Sequence, residues 1–378
     1  MAIGVTAMIA SACVPTQQEK LDALFSPLFP SGEPGAAVLV LKGDEVIFDR
    51  GYGIADMEKG TPIDGDTFFN IASCSKQFTA VAILQLVQKG LVSLDDEVRK
   101  HFPEFTDPIW EGITIRHLLS HSSGIPDERG YLTKEQRIFG DEDLALEYLA
   151  TLDHLHFPPG SQYEYINPTF VLLGRLVERV RGEEFTQYVR GNIFTPAGME
   201  KTLYFDRDNQ DAIPSMAHGY EFEDVESMPE ERTATKTDAP KEWYEYDFGE
   251  ETFFATRPDG GIYTSTHEFA CWEKALRSDS VLSPELLEAA WTPATLVSGS
   301  EYSDYQNRPG TWYGHGWFIE PREGSGKGRV IYHTGDNGGF KILAARYPDS
   351  ETLVLVFANR ADWDRNEVKT KVEEILGL

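Results

Sequence analysis

The chain has 378 residues, with 34 Lys and Arg against 62 Asp and Glu, for a formal net charge of −28 at pH 7. This argues against nucleic acid as a partner, because a polyanion needs a basic face to displace its counterions, and it disfavours an anionic lipid surface for the same reason. With 41% hydrophobic and 12% aromatic residues there is ample material for a packed core, so general disorder is also excluded.

In chain order, residues 1–13 carry a small, fairly apolar run that ends in Ala10-Ser11-Ala12-Cys13, similar to the processing box of bacterial lipoproteins. A secretory signal begins with Lys or Arg, and none precedes Lys20. Two readings therefore stand: an extracytoplasmic (periplasmic) protein lipid-anchored at Cys13, or an inconsequential tail on a cytoplasmic one. Leu21, Leu24, Phe25 and Leu28 then recur at helical spacing, and Ala36–Leu41 and Glu45–Gly51 read as a hairpin turning at Lys42-Gly43-Asp44. Ile71–Gly90 is apolar on nearly every face, as in a helix buried between two layers. From about Leu94 to Arg257 the pattern is helical and loop-like. A β-rich block returns at Arg329–His333, Phe340–Tyr347 and Thr352–Ala358, and a helix closes the chain at Asn366–Leu376. Strands at both ends with helices between them predict one α/β lobe of about 14–72 and 257–378. It carries a helical lobe over about 73–256, and 14–378 form one body.

Glu221–Glu251 holds twelve acidic residues against three basic ones, interleaved with Trp243, Tyr244, Tyr246 and Phe248. It reads either as a solvated acidic loop or as a lid whose aromatics meet substrate. The cysteines Cys13, Cys74 and Cys271 are odd in number and lack metal-ligand spacing, so they suggest neither a disulfide framework nor a metal site.

The strongest chemical signal is Ser73-Cys74-Ser75-Lys76 at the head of the buried helix. A serine hydroxyl attacks only after a base takes its proton, and a lysine three residues on shares its helical face. A lysine on an otherwise buried helix is also costly unless it has a partner or a role. Downstream, Tyr165-Ile166-Asn167 follows Pro159-Gly160, and His333-Thr334-Gly335 lies in the late β block. These three ordered motifs, 92 and then 168 residues apart, resemble the serine β-lactamase-like hydrolases. That superfamily includes class C β-lactamases, DD-peptidases, D-aminopeptidases and esterases. Similar supporting text occurs at Ile113–Gly124 and Gly260–Ser265, and the resemblance runs from about Leu21 to Leu378. A second Tyr-x-Asn at Tyr305-Gln306-Asn307 has no helix after it and is set aside.

The resemblance implies an α/β (α+β) fold, an antiparallel five-stranded sheet flanked by helices with an inserted all-helical lobe and the site in the cleft between them. It implies Ser73 as acylated nucleophile, Lys76 as the group sharing its proton, and the Tyr165 phenol as general base and then acid. Asn167 and His333 would bind substrate, with Gly335 and Asp336 beside an oxyanion hole formed by the Ser73 and Asp336 amides. No metal or organic cofactor is implied; the partner is a small ester, amide or peptide. Oligomeric state is left open.

One departure matters: His333 stands where β-lactamases and DD-peptidases usually have lysine, as in the esterase and D-aminopeptidase branches. A histidine of ordinary pKa about 6.5 is mostly neutral at pH 7 and suits a substrate carboxylate poorly. The expected order is therefore short acyl esters, then D-amino-acid peptides or amides, then β-lactams. A rate that depends on pH near neutrality is expected as well. The reading from another class is a non-catalytic, penicillin-recognising binding protein. Asp336 is helpful beside an oxyanion only if its carboxylate points away. His154 with His156, and His117 with His121, read as packing and hydrogen-bonding residues, and Cys74 as a buried small residue.

Overall fold

The computed structural model describes residues 15–127, 133, 141–205, 213, 215–223, 242–246, 256–303, 309–322, 324 and 326–378. Cys13, most of the acidic segment and the second Tyr-x-Asn at 305–307 lie outside the described residues.

Thr16 starts helix α1 (Gln17–Phe25) with a reciprocal cap: its hydroxyl accepts the Glu19 amide while the Glu19 carboxylate accepts the Thr16 amide. The hairpin follows as β1 (Ala36–Lys42) and β2 (Glu45–Tyr52). Next come α2 (Lys76–Gln88), α3 (Glu142–Thr151), α4 (Asn167–Arg181) and α5 (Thr266–Arg277). The chain then returns through β3 (Thr295–Leu296), β4 (Trp312–Tyr313), β5 (Phe318–Glu320), β6 (Val330–Asn337), β7 (Phe340–Tyr347) and β8 (Thr352–Ala358). It ends in α6 (Arg365–Leu376).

These strands form one antiparallel sheet in the order β3-β4-β5-β6-β7-β8-β1-β2. β8 pairs with β1 from Ala36 opposite Ala358 to Lys42 opposite Thr352, so both ends of the chain share one sheet. Eight strands replace the five expected. The additional β3, β4 and β5 are two or three residues long, too short for the alternation that betrays a strand over four to eight residues. The span 73–256 is also not purely helical. Leu203–Tyr204 pairs with Ile262–Thr264, which pairs with Phe69–Asn70, and Tyr220–Glu223 pairs with Glu242–Glu245.

The sheet is apolar on both faces. Leu21 and Phe25 of α1 with Val368 and Val372 of α6 cover Val38, Val40, Val354 and Val356. On the other face, Leu39, Leu355, Phe357, Ile342 and Ala344 join the core of α2 and α5. Helix α2 is buried from Lys76 through Leu86, which explains why its sequence shows no polar face. No helix among the described residues is long and apolar enough to cross a membrane.

His267 ties the small-sheet side to β2: its Nδ1 lies 2.9 Å from Asp66 Oδ1 and its Nε2 2.8 Å from Asp49 Oδ2. Burial disfavours the imidazolium, but the hydrogen bonds and charges of both carboxylates outweigh it and hold the ring above its ordinary pKa. A raised folded-state pKa gives stability that is complete below about 6.5, the unfolded value, and is lost as pH rises through the folded value. His267→Ala is therefore expected to lower the melting temperature more at pH 5.5 than at pH 9, which paired thermal melts would check.

Candidate active site

The small sheet delivers Asn70 to the start of the site, where its side-chain carbonyl accepts the Ala72 amide at 2.7 Å. Ala72 has φ 45°, a left-handed conformation that costs a non-glycine residue about 1–3 kcal/mol. Ala72–Ser75 form a turn of 3-10 helix, and α2 begins only at Lys76. The nucleophile candidate thus precedes the α-helix rather than sitting in it. In a 3-10 turn, residues three apart eclipse, and Lys76 Nζ comes to 3.1 Å from Ser73 Oγ.

Lys76 is fully buried. Its ammonium also donates to Asn167 Oδ1 at 2.7 Å and to the Asp259 carbonyl at 2.8 Å, and it lies 4.9 Å from the centre of the Tyr165 ring. Asn167 is the first residue of α4, with Pro168 suited to the helix start, and Tyr165 stands just before it.

His333 comes from β6 and is buried. Its Nδ1 faces the Thr334 carbonyl at 2.7 Å, and its Nε2 lies 3.0 Å from the Tyr313 hydroxyl. A carbonyl can only accept, so Nδ1 carries the proton and Nε2 accepts from Tyr313. Burial, followed by the charge of Lys76, pushes its pKa down to about 3. This direction runs against the expected titration near neutrality: desolvation favours the neutral ring.

Gly335 is required by close approach: a Cβ there would lie 2.3 Å from the Ile71 carbonyl oxygen. The bare backbone lets β6 lie against the Ser73 turn, bringing Asp336 beside it. The Asp336 carboxylate is held by Arg365 at 2.6 Å, and Arg365 also donates to the Gly335 carbonyl at 2.9 Å. This ion pair gives the awkward carboxylate a partner on α6. Residues 21–376, which hold all of these groups, match the Beta-lactamase family.

The chain belongs to the beta-lactamase family. It is similar to penicillin-binding protein 4* of Bacillus subtilis (strain 168), 27% identical over 354 residues that cover 92% of this chain and 72% of that protein. It is also similar to protein flp of Staphylococcus aureus (strain MRSA252), 26% identical over 348 residues, 90% of this chain and 63% of that one. The chain thus spans roughly two thirds of these relatives. The solved D-amino acid amidase from Ochrobactrum anthropi SV3 complexed with L-phenylalanine amide shares the fold. The two superpose with TM-score 0.72 at 23% identity, over 96% of this chain and 97% of that one.

In this member of the family, Ser73, Tyr165, Asn167, His333, Thr334 and Asp336 open onto one cleft of about 380 Å³, within the range of small-molecule sites. Gly335 does not line it. Asp127, Tyr163, Glu164, Tyr302 and Phe318 do, and none was singled out from the sequence. Glu164 could have been, since it adjoins Tyr165; Tyr302 and Phe318 come from the far end of the chain without a motif. Burial pushes the Glu164 carboxyl above its ordinary value, against the pull of His156 at 2.7 Å. The carbonyl of Asp259, next to the glycines at 260 and 261, was missed because a backbone group leaves no mark in residue type.

The described parts of the acidic segment stay off this cleft. Trp243 packs 4.8 Å from Phe222 and beneath the Arg360 guanidinium at 4.3 Å, and neither Tyr244 nor Tyr246 lines the wall. A larger concavity, about 820 Å³, includes Trp312 of β4, Arg322 and residues of α6, and shares none of the described residues with this cleft.

Proposed function

We propose that the protein is a serine hydrolase that forms an acyl-Ser73 intermediate and releases the acyl group to water, with small esters as its first substrates. The observation that carries this reading is the 3.1 Å contact between Lys76 Nζ and Ser73 Oγ. The Asn167 and Asp259 carbonyls beside it can only accept. The Ser73 contact is the one of these three across which a proton can pass in either direction.

In the first half-reaction Ser73 Oγ attacks the substrate carbonyl as its proton passes to Lys76, which in the same step gives one of its own to Tyr165, ionised to the phenolate, so that the lysine ends as the ammonium it began as. The amides of Ser73 and Asp336 take the developing oxyanion, and Tyr165 returns a proton to the leaving group. Water then attacks the acyl-enzyme with the same groups in reverse roles. A phenol of ordinary pKa about 10 needs a nearby cation to work as a base, and the Lys76 ammonium lies against its ring.

Two features favour a neutral ester over an anionic β-lactam. His333 supplies no positive charge, and the cleft wall adds the carboxyl groups of Asp127 and Glu164. A second reading, hydrolysis of a D-amino-acid amide or peptide, draws on Asp127, whose carboxylate in the cleft suits a protonated α-amine.

Initial rates on p-nitrophenyl butyrate, a D-alanine anilide and a chromogenic cephalosporin test the order. The ester should give the highest kcat/KM, and a faster cephalosporin would reverse it. Stoichiometric acylation with no turnover on any of the three would identify a binding protein instead. On the ester, His333→Gln should leave the shape of the kcat/KM profile unchanged between about pH 5.5 and 8, because the ring it replaces is already neutral there. A limb that disappears with the histidine would sink that expectation.

A further inference from the structure

His121 belongs to none of the three motifs, yet it grips the chain on both sides of Tyr165. It is 1% exposed and has φ 53°, a left-handed conformation in which histidine is enriched but still uncommon. From there its carbonyl oxygen accepts the Glu164 amide at 3.0 Å, and its ring Nδ1 accepts the Ile166 amide at 3.2 Å. Its ring lies against that of Tyr165, centroids 4.3 Å apart at 35°. It also meets Tyr313 at 4.8 Å, the residue whose hydroxyl donates to His333.

An amide N–H only donates, so Nδ1 must be the bare nitrogen and the ring proton sits on Nε2. Every ionisable neighbour is consistent with a neutral ring. Lys76 on α2 repels an imidazolium, His333 on β6 is itself neutral, and Tyr163, Tyr165 and Tyr313 enclose it with aromatic surface. Burial, then Lys76, hold its pKa well below the ordinary value.

We propose that His121 is the positioning residue for Tyr165. By holding the amides before and after it and backing its ring, His121 sets the phenol against the Lys76 ammonium. This rests on the reading of Tyr165 as general base. A residue that merely stabilised the loop would change the folded fraction and leave each folded molecule's chemistry alone.

The test compares His121→Phe, which keeps a ring but loses the acceptor, with His121→Asn, which tolerates the left-handed backbone and offers a carbonyl oxygen. Per titrated Ser73, His121→Phe should lose about 10- to 100-fold in kcat with KM within about threefold, the scale on which a small misplacement acts. The acid limb of its kcat profile should move, and His121→Asn should recover several-fold of the loss. Wild-type kcat and pH profile in His121→Phe, or no recovery in His121→Asn, would overturn the proposal.

Should neither variant fold, ¹⁵N spectra of the wild-type imidazole decide. A neutral Nε2–H tautomer with Nδ1 coupled to the Ile166 amide from about pH 5.5 to 8 supports it; an Nδ1–H tautomer or an imidazolium overturns it. Tyr165→Phe separates the two levels. If that variant is active, the assignment of the base fails. If it is inactive while His121→Phe behaves as wild type, only the positioning role fails.

Discussion

Ser73→Ala is expected to lower ester turnover by about four to six orders of magnitude, the size of loss seen when a nucleophile that acts as part of a unit is removed. Lys76→Met should cost about as much, and the double variant little more than either alone, because groups that act as a unit are not additive. Stability should separate the two. In Ser73→Ala the lysine keeps the Asn167 and Asp259 carbonyls, whereas Lys76→Met leaves both without this donor in the interior. The second variant should therefore be the less stable, by roughly 1–3 kcal/mol for a buried acceptor left unsatisfied. Rates and urea unfolding on the three variants check this. A Ser73→Ala protein that keeps a tenth of wild-type activity would defeat the acyl-Ser73 mechanism, and multiplicative losses in the double variant would mean that lysine and serine serve separate steps.

Why these residues could be found without coordinates is physical. Ser73 and Lys76 meet through one helical turn, and Tyr165 and Asn167 through the approach to α4, so short spacing in the chain reports nearness in space. The long strands β1, β2, β6, β7 and β8 announce themselves by β-branched and aromatic runs, and β3 to β5 are too short to do so. What the sequence hides is burial and backbone geometry. An imidazole at position 333 reads as a group titrating near neutrality until its enclosure and Lys76 are seen. His121 reads as half of an i, i+4 pair with His117, but its partners are the amides at 164 and 166, more than forty residues away. His117 instead accepts the Thr114 amide within its own short helix. Identical residues four apart thus do unrelated work, and only the fold distinguishes them.

The largest expected loss of stability lies under α2. Arg346 of β7 is 2% exposed, and its Nε donates to Glu273 Oε2 of α5 at 2.8 Å. Its guanidinium lies 5.4 Å from the centre of the Trp291 ring and 5.9 Å from that of Trp317. Gln77, the residue after the catalytic lysine candidate, gathers the surrounding donors on one oxygen: Trp272 Nε1 at 3.1 Å, Trp317 Nε1 at 3.2 Å and Arg346 at 3.4 Å. The ion pair therefore joins sheet, α5 and α2 at a single buried point. Arg346→Met should cost about 3–5 kcal/mol, because it strands the Glu273 carboxylate in the interior where attraction no longer offsets its lost hydration. Arg346→Met with Glu273→Met removes both charges and should cost clearly less than Arg346→Met alone, since a buried pair exchanged for apolar groups of similar volume is often near neutral. Urea unfolding of the singles and the double forms the cycle. A loss below about 1 kcal/mol in Arg346→Met would show that water reaches the pair and that the carboxylate is solvated after all.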